Sequence, residues 1–100
     1  MRIASRKDAL HTAVGHVFQQ CGWSGLDLSR LGEGKPDWLF VRRSFAVLVE
    51  VKTPGWKSRI RPGTAQKQDS FRQTWNACPV LVIDSVAQAW AEAEVLREFK

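Results

Sequence analysis

Three charged residues stand at the edges of apolar segments that are typical of β-strands. Asp37 follows Pro36 at the start of the segment 37–43, and Glu50 and Lys52 close the segment 46–52. Charged groups are costly to bury without partners, so charges placed in buried strands need a reason. Two carboxylates and an amine are also the groups that can hold a divalent cation and act on water beside it.

The alternation of side chains along a strand brings these charges together. Positions 46, 48, 50 and 52 share one face, which begins apolar and becomes charged only at its carboxyl end. In open α/β sheets, ligands collect beyond that end of the strands. Asp37 opens the neighbouring antiparallel strand, and a turn centred near Ser44 predicts that it lies opposite roughly position 51. The three charged groups are therefore expected to converge.

Such a group has the parts that phosphodiester hydrolysis needs. Two adjacent carboxylates repel each other unless a cation sits between them. Magnesium takes carboxylates, a carbonyl, waters and phosphate oxygens, and the backbone carbonyl of Val51 could supply the neutral ligand. Lys52 would orient a water and offset charge on a pentavalent phosphorus. The other interpretation is that Glu50 and Lys52 are simply exposed to solvent where the strand ends, and that Asp37 stabilises a turn.

The bulk properties favour an anionic partner. The chain has 100 residues, the size of a single domain, and a net charge of +5. Its pI of about 9.8 favours nucleic acid first and an anionic membrane second, although a basic surface can also serve solubility alone. No apolar run has the length of a membrane span and no signal-peptide core follows Met1, so we expect a cytoplasmic protein without a membrane partner.

Hydrophobic periodicity predicts an α/β domain with a mixed sheet and helices on both faces. The predicted elements are, in order, a helix over 6–21, a short edge strand over 24–29, strands over 37–43 and 46–52, a helix over 64–76, a strand over 79–84 and a last helix. Gly22 is predicted to end the first helix, and Ser85 to cap the last one. The buried stripe of the last helix is predicted to include Val86, Trp90, Ala93 and Leu96.

The segment after Lys52 is basic as far as Lys67, and its first part, 53–63, is predicted to be an exposed, mobile loop. It carries Lys57, Arg59, Arg61 and Lys67 with no acid among them. Such a loop could clamp phosphates, and Trp56 within it could stack on an unpaired base or wedge a junction. A solvated charged face, with Trp56 covering the core, is the alternative explanation.

Pro36-Asp37 followed by Glu50-Val51-Lys52 resembles, in order and spacing, the signature of the PD-(D/E)xK nucleases. More narrowly, the chain resembles the small VRR-NUC-type nucleases, which are often encoded by phages and are related in fold to Holliday junction resolvases. The similar features extend along nearly the whole chain, as "GEGKPD", "EVKTPG", "QDSFRQTW" and "PVLVIDSVAQA".

The resemblance implies one restriction-endonuclease-like domain over 1–100, with the element order α-β-β-β-α-β-α. In this family Asp37 and Glu50 would bind Mg²⁺ or Mn²⁺ with the Val51 carbonyl as a third ligand, and Lys52 would act on the water. Gln68 would face the cleft from the second helix.

Two further positions come from the same resemblance. Relatives often carry another acid on the first helix, and Asp8 matches that position, but capping of the helix explains Asp8 equally well. On the second helix Gln66 is the alternative to Gln68, although its spacing to Phe71 and Trp75 fits less well.

The implied activity is that of a metal-dependent DNA endonuclease selective for branched or junction DNA rather than for a base sequence. Relatives of the resolvase type imply a homodimer, acting in the cytoplasm of a bacterium or a phage-infected host. The rival hypotheses are a nucleic-acid-binding module that keeps the nuclease fold without the chemistry, and a phage interaction protein.

Overall fold

The computed structural model describes residues 6–32, 34–53, 71 and 73–97, and the side chains among them from residue 9 to residue 96. In that part of the chain the elements are α1 (Arg6–Gln20), β1 (Ser24–Asp27), β2 (Trp38–Arg42), β3 (Phe45–Val51), β4 (Val80–Ile83) and α2 (Val86–Arg97). The predicted α/β class and the order of these elements are confirmed. Most of the predicted helix over 64–76 lies outside the described residues, and within it residues 71, 73 and 74 are helical.

Helix α1 ends as its sequence predicts. Its apolar stripe buries Val14, Val17 and Phe18 against the sheet. Gly22 adopts a φ of 91°, a left-handed conformation that costs glycine little. The amide of Gly22 then donates to the carbonyl of Gln19 and the amide of Trp23 donates to the carbonyl of Phe18, which is the Schellman arrangement that closes a helix.

The four strands form one mixed sheet in the order β1-β2-β3-β4. The first two pairings are antiparallel and β3 pairs with β4 in parallel. A two-residue turn, Arg43 and Ser44, joins β2 to β3, with Arg43 at a φ of 57°. The pairing ends with Trp38 opposite Val49, and the turn is centred between Arg43 and Ser44. Asp37, expected opposite roughly position 51, bonds to Val49 through its amide and to Val51 through its carboxylate.

One face of the sheet holds the aromatic core. The Phe40 ring stacks on Phe18 at 4.1 Å between centroids and on Trp38 at 5.2 Å, and Trp38 stacks in turn on His11 at 4.8 Å. Gly15 makes this approach possible, because a Cβ atom there would lie 2.5 Å from Cζ2 of Trp38. These aromatic contacts therefore hold α1 close to the middle of β2.

Helix α2 begins as predicted but buries a different stripe. The Ser85 hydroxyl accepts a hydrogen bond from the Gln88 amide, the expected N-cap. Val86 and Trp90 are exposed, at 41% and 38%, whereas the residues that face the core are Ala89, Ala93 and Leu96. The expected stripe was wrong at these two positions because α2 packs against α1 through small side chains, which allow the helices to lie close together.

Both described helices therefore lie on the same face of the sheet, in contact with each other. On the opposite face, Leu48 lines a cavity together with Phe71, which comes from the segment predicted as the second helix. None of the helices in the described part of the chain has the length and apolarity needed to cross a bilayer.

Candidate active site

Asp37 is held beside Glu50 by three main-chain contacts. Its amide donates to the carbonyl of Val49 at 2.9 Å, and its Oδ2 accepts a hydrogen bond from the amide of Val51 at 2.7 Å. Its carbonyl accepts one from the amide of Leu28 at 2.8 Å. Because the bonded groups of β3 flank Glu50 on both sides, the Asp37 carboxylate has a defined position next to that residue.

Glu50 and Lys52 form an ion pair on the same face of β3. The Nζ atom of Lys52 lies 3.4 Å from Oε1 of Glu50, and both side chains are largely withdrawn from water. The Lys52 amide donates to the carbonyl of Ile83 at 2.9 Å, so β4 fixes the end of β3 where the pair stands. The structure thus brings Asp37, Glu50 and Lys52 together at one end of the sheet.

The backbone of Val51 points toward the same place. The amide and carbonyl of one strand residue project to the same side, and the Val51 amide is directed at the Asp37 carboxylate. Its carbonyl is therefore on the Asp37 side of β3, where the sequence predicted a neutral oxygen ligand.

The donor set fits a hard cation. Of the charged residues whose side chains the structure describes, Asp37 and Glu50 are the ones that are buried, at 6% and 4% exposure. Carboxylate and carbonyl oxygens are the protein ligands that magnesium prefers. No group of three or more His, Cys, Asp and Glu side chains that could hold a metal occurs among the described residues. A cation at this place would therefore take main-chain or water oxygens in addition to the two carboxylates.

The other predicted site residues lie outside what the structure describes. For Asp8 the structure describes the backbone, which lies within α1. The remaining ones are Gln68 and the predicted nucleic-acid contacts Trp56, Lys57, Arg59, Arg61 and Lys67.

Two features near the site were missed by the sequence interpretation. Asp27 accepts hydrogen bonds at Oδ1 from the amide and hydroxyl of Ser29, and its Oδ2 lies 3.1 Å from Nε2 of His11. The order Asp-x-Ser at the end of a strand is typical of a turn in which the carboxylate accepts a hydrogen bond from the amide two residues later, and it could have indicated these bonds. The second feature is an apolar cavity with Lys35 at its edge, for which the i, i+4 spacing of Phe71 and Trp75 was the available signal.

Burial raises the pKa of Asp27, but hydrogen bonds from Ser29 and the neighbouring His11 lower it by more, so that it falls from 3.8 to about 2. The Asp27 carboxylate is therefore ionised in its contact with His11, which connects β1 to α1 on the helix-bearing side of the sheet.

A solved structure described as a VRR_NUC domain matches the chain with a TM-score of 0.62 and 23% sequence identity. The match covers 96% of this chain and 98% of the other. No protein-family model matches the sequence, and no curated protein matches it. At this level of identity the likeness concerns the fold alone, and it agrees with the resemblance found in the sequence: this chain has the fold of that VRR_NUC domain.

Proposed function

We propose that this protein is a metal-dependent endonuclease that hydrolyses phosphodiester bonds in DNA. The observation that carries the proposal is the position of the Asp37 carboxylate, which is bound to the Val51 amide at 2.7 Å and so stands beside the Glu50–Lys52 pair. The likeness of the fold to a VRR_NUC domain supports the same activity. A fold can carry many functions, so the site is the stronger argument.

Asp37, Glu50 and the carbonyl of Val51 would hold Mg²⁺ or Mn²⁺. When bound, the cation would polarise the scissile phosphate and make an attacking water more acidic. The contribution of the protein is to fix the ligands, and the main-chain bonds of Asp37 do this before any substrate arrives.

Lys52 would supply positive charge at the reacting phosphate. Its ammonium is paired with Glu50 at 3.4 Å and has little contact with water, which strengthens its interaction with developing negative charge. From this position it can also donate a hydrogen bond that orients the attacking water. We therefore assign Lys52 to water orientation and charge stabilisation, and Glu50 to holding both the cation and the ammonium.

Residues outside the described part of the chain complete the proposal. Gln68 is assigned to the cleft, and Asp8 either adds a carboxylate to the site or caps α1. The basic residues of 57–67, together with Trp56, would bind the phosphates and an unpaired base of the substrate. The net charge of +5 is consistent with a polyanionic substrate.

The proposed substrate is branched or junction DNA, recognised by shape. No base-reading element was identified in the sequence, and phosphate contacts do not discriminate sequence. We propose that a homodimer makes paired cuts and that the protein acts in the cytoplasm of a bacterium or of a phage-infected host.

The test is cleavage of a labelled four-way junction by the purified protein. In the presence of Mg²⁺ the wild type is expected to cut it, and Glu50→Ala is expected to bind it equally well but to cut at least about a hundredfold more slowly, since a cation ligand is lost. Glu94→Ala is the matched control, because Glu94 is an exposed acid on α2. That variant should cut like the wild type.

The outcomes separate the rival functions. Equal cutting by the wild type and Glu50→Ala would remove the proposed site. Binding of the junction without cutting in either Mg²⁺ or Mn²⁺ would identify a nucleic-acid-binding module. A protein that neither binds nor cuts would be an interaction protein that keeps the nuclease fold.

A further inference from the structure

An apolar cavity of about 220 Å³ opens on the face of the sheet that carries the acid pair. Its walls come from the segment after β1, from the loop before β2, from β3 and from the segment before β4. The residues that line it are Leu28, Leu31, Lys35, Pro36, Leu48, Phe71 and Trp75. Leu31 and Trp75 are 60% and 39% exposed, so the cavity is accessible from solvent.

The cavity adjoins the proposed metal site through two of its walls. Pro36 immediately precedes Asp37 in the chain. Leu48 and Glu50 share one face of β3 and are two residues apart, which places their side chains about 7 Å from each other. A ligand that occupied the cavity would therefore lie next to the reacting phosphate.

The walls have the chemistry that a nucleobase requires. The rings of Phe71 and Trp75 stack on each other at 5.4 Å between centroids and an angle of 17°. The indole N–H of Trp75 donates to Sγ of Cys78, which fixes the edge of that ring. Flat aromatic walls bind bases by stacking, and they do so without regard to base identity.

One cation stands at the edge of this apolar wall. The Nζ atom of Lys35 lies 5.5 Å from the centroid of Phe71, and the Lys35 side chain is exposed. An ammonium beside stacked rings complements a nucleotide, whose base is apolar on its faces and whose phosphate is anionic. A purely apolar occupant, such as a leucine side chain of a partner protein, would make no use of this charge.

We propose that the cavity is a subsite for one unpaired nucleobase of the DNA strand, belonging to the nucleotide next to the scissile phosphate, with Lys35 on the adjoining phosphate. The inference rests on the proposed nuclease function and adds a source of selectivity to it. A paired base would have to leave its stack to enter, at a cost of a few kcal/mol, whereas a base already unpaired would not. The enzyme should therefore favour DNA with an unpaired base beside the cut.

The test measures binding rather than cutting. In a Glu50→Gln background with EDTA, the affinity is measured for a short duplex that carries one bulged 2-aminopurine, and for the same duplex with that base paired to thymine. Trp75→Leu keeps an apolar wall and removes the ring, so it should weaken binding to the bulged duplex by about 5- to 150-fold and leave the paired duplex unchanged. Trp75→Phe should restore most of the affinity.

Fluorescence supplies the second measurement. A stacked 2-aminopurine is quenched, so its emission should fall when the bulged duplex binds the protein and should recover with Trp75→Leu. Trp90→Ala is the matched control, because Trp90 is exposed to the same extent, 38%, but lies on α2. It should leave the affinity and the quenching unchanged.

Each outcome decides a separate question. If Trp75→Leu and Trp75→Phe bind the bulged duplex equally well, or if both duplexes lose affinity together, the base subsite is refuted even where the protein cuts DNA. If the quenching is present and depends on Trp75 but the protein with Glu50 intact cuts nothing, the subsite stands and the nuclease proposal fails.

Discussion

The two faces of the sheet are built from the same strands and have opposite properties. In β3, Val47, Val49 and Val51 point toward the helices and are completely buried. The alternate residues Leu48 and Glu50 point to the other side, toward the ion pair with Lys52 and the apolar cavity. The first face carries the stacked rings of Phe18, Phe40 and Trp38, and the second carries the ion pair and the cavity.

This difference shows how a small domain can hold a precise site. A strand whose inner face is fully packed cannot shift without breaking that packing. The residues on its other face are therefore held in fixed positions as well. Stability then depends mainly on one face and chemistry mainly on the other. Substitutions on the two faces should accordingly change different measurements.

The largest change in stability is expected from Phe40→Ala on the helix-facing side. The Phe40 ring is completely buried between Phe18 and Trp38, so its removal should lower the free energy of unfolding by about 3–5 kcal/mol. Urea denaturation measures this change. Val41→Ala, on the opposite face of the same strand, is the control and should cost clearly less, since Val41 is only half-buried. Equal losses in the two variants would contradict the division between the faces.

A smaller effect on stability is expected on the other face, where charge replaces packing. Lys52→Met leaves Glu50 withdrawn from water without the ammonium at 3.4 Å, and should lower the free energy of unfolding by about 1–3 kcal/mol. Adding Glu50→Gln should recover most of that loss, because a neutral amide at position 50 does not need the ammonium of Lys52 beside it.

The double-mutant cycle of Glu50→Gln and Lys52→Met by urea denaturation measures this coupling. Additive losses would mean that the pair does not interact in the folded protein. Both single variants should also lose DNA cutting if the proposed function holds, even where the double variant regains full stability.

Most of the fold was predictable because its signals are local. The apolar stripe and Gly22 define α1 and its end, and the alternation in β2 and β3 defines the hairpin that carries Asp37 and Glu50. Both patterns depend on residues close together in the chain, whose geometry the backbone dictates.

The failures of sequence interpretation concern contacts between distant segments. The rotation of α2 depends on how closely it approaches α1, which the side chains of α2 alone do not determine, so Trp90 was wrongly placed in the core. The cavity was missed because its walls come from four separate segments.

The smallest predicted effect concerns Asp27, which joins the edge strand β1 to the helix-bearing face through His11. A pKa lowered to about 2 means that the folded protein binds the Asp27 proton more weakly than the unfolded chain does. The contribution of Asp27 to the free energy of unfolding should therefore be complete above pH 3.8 and should disappear as the pH falls through about 2. An NMR titration of the Asp27 carboxyl carbon should give a midpoint near the lower value.

Ser29→Ala tests the cause of that midpoint. It removes the hydroxyl donor at 2.6 Å and keeps the amide donor at 2.8 Å, so the pKa of Asp27 should move part of the way back toward 3.8. Ser24→Ala, which changes an exposed serine within β1, should leave the midpoint where it is. If Ser29→Ala behaves like Ser24→Ala, the hydroxyl does not lower this pKa, and the contact with His11 must carry more of the effect.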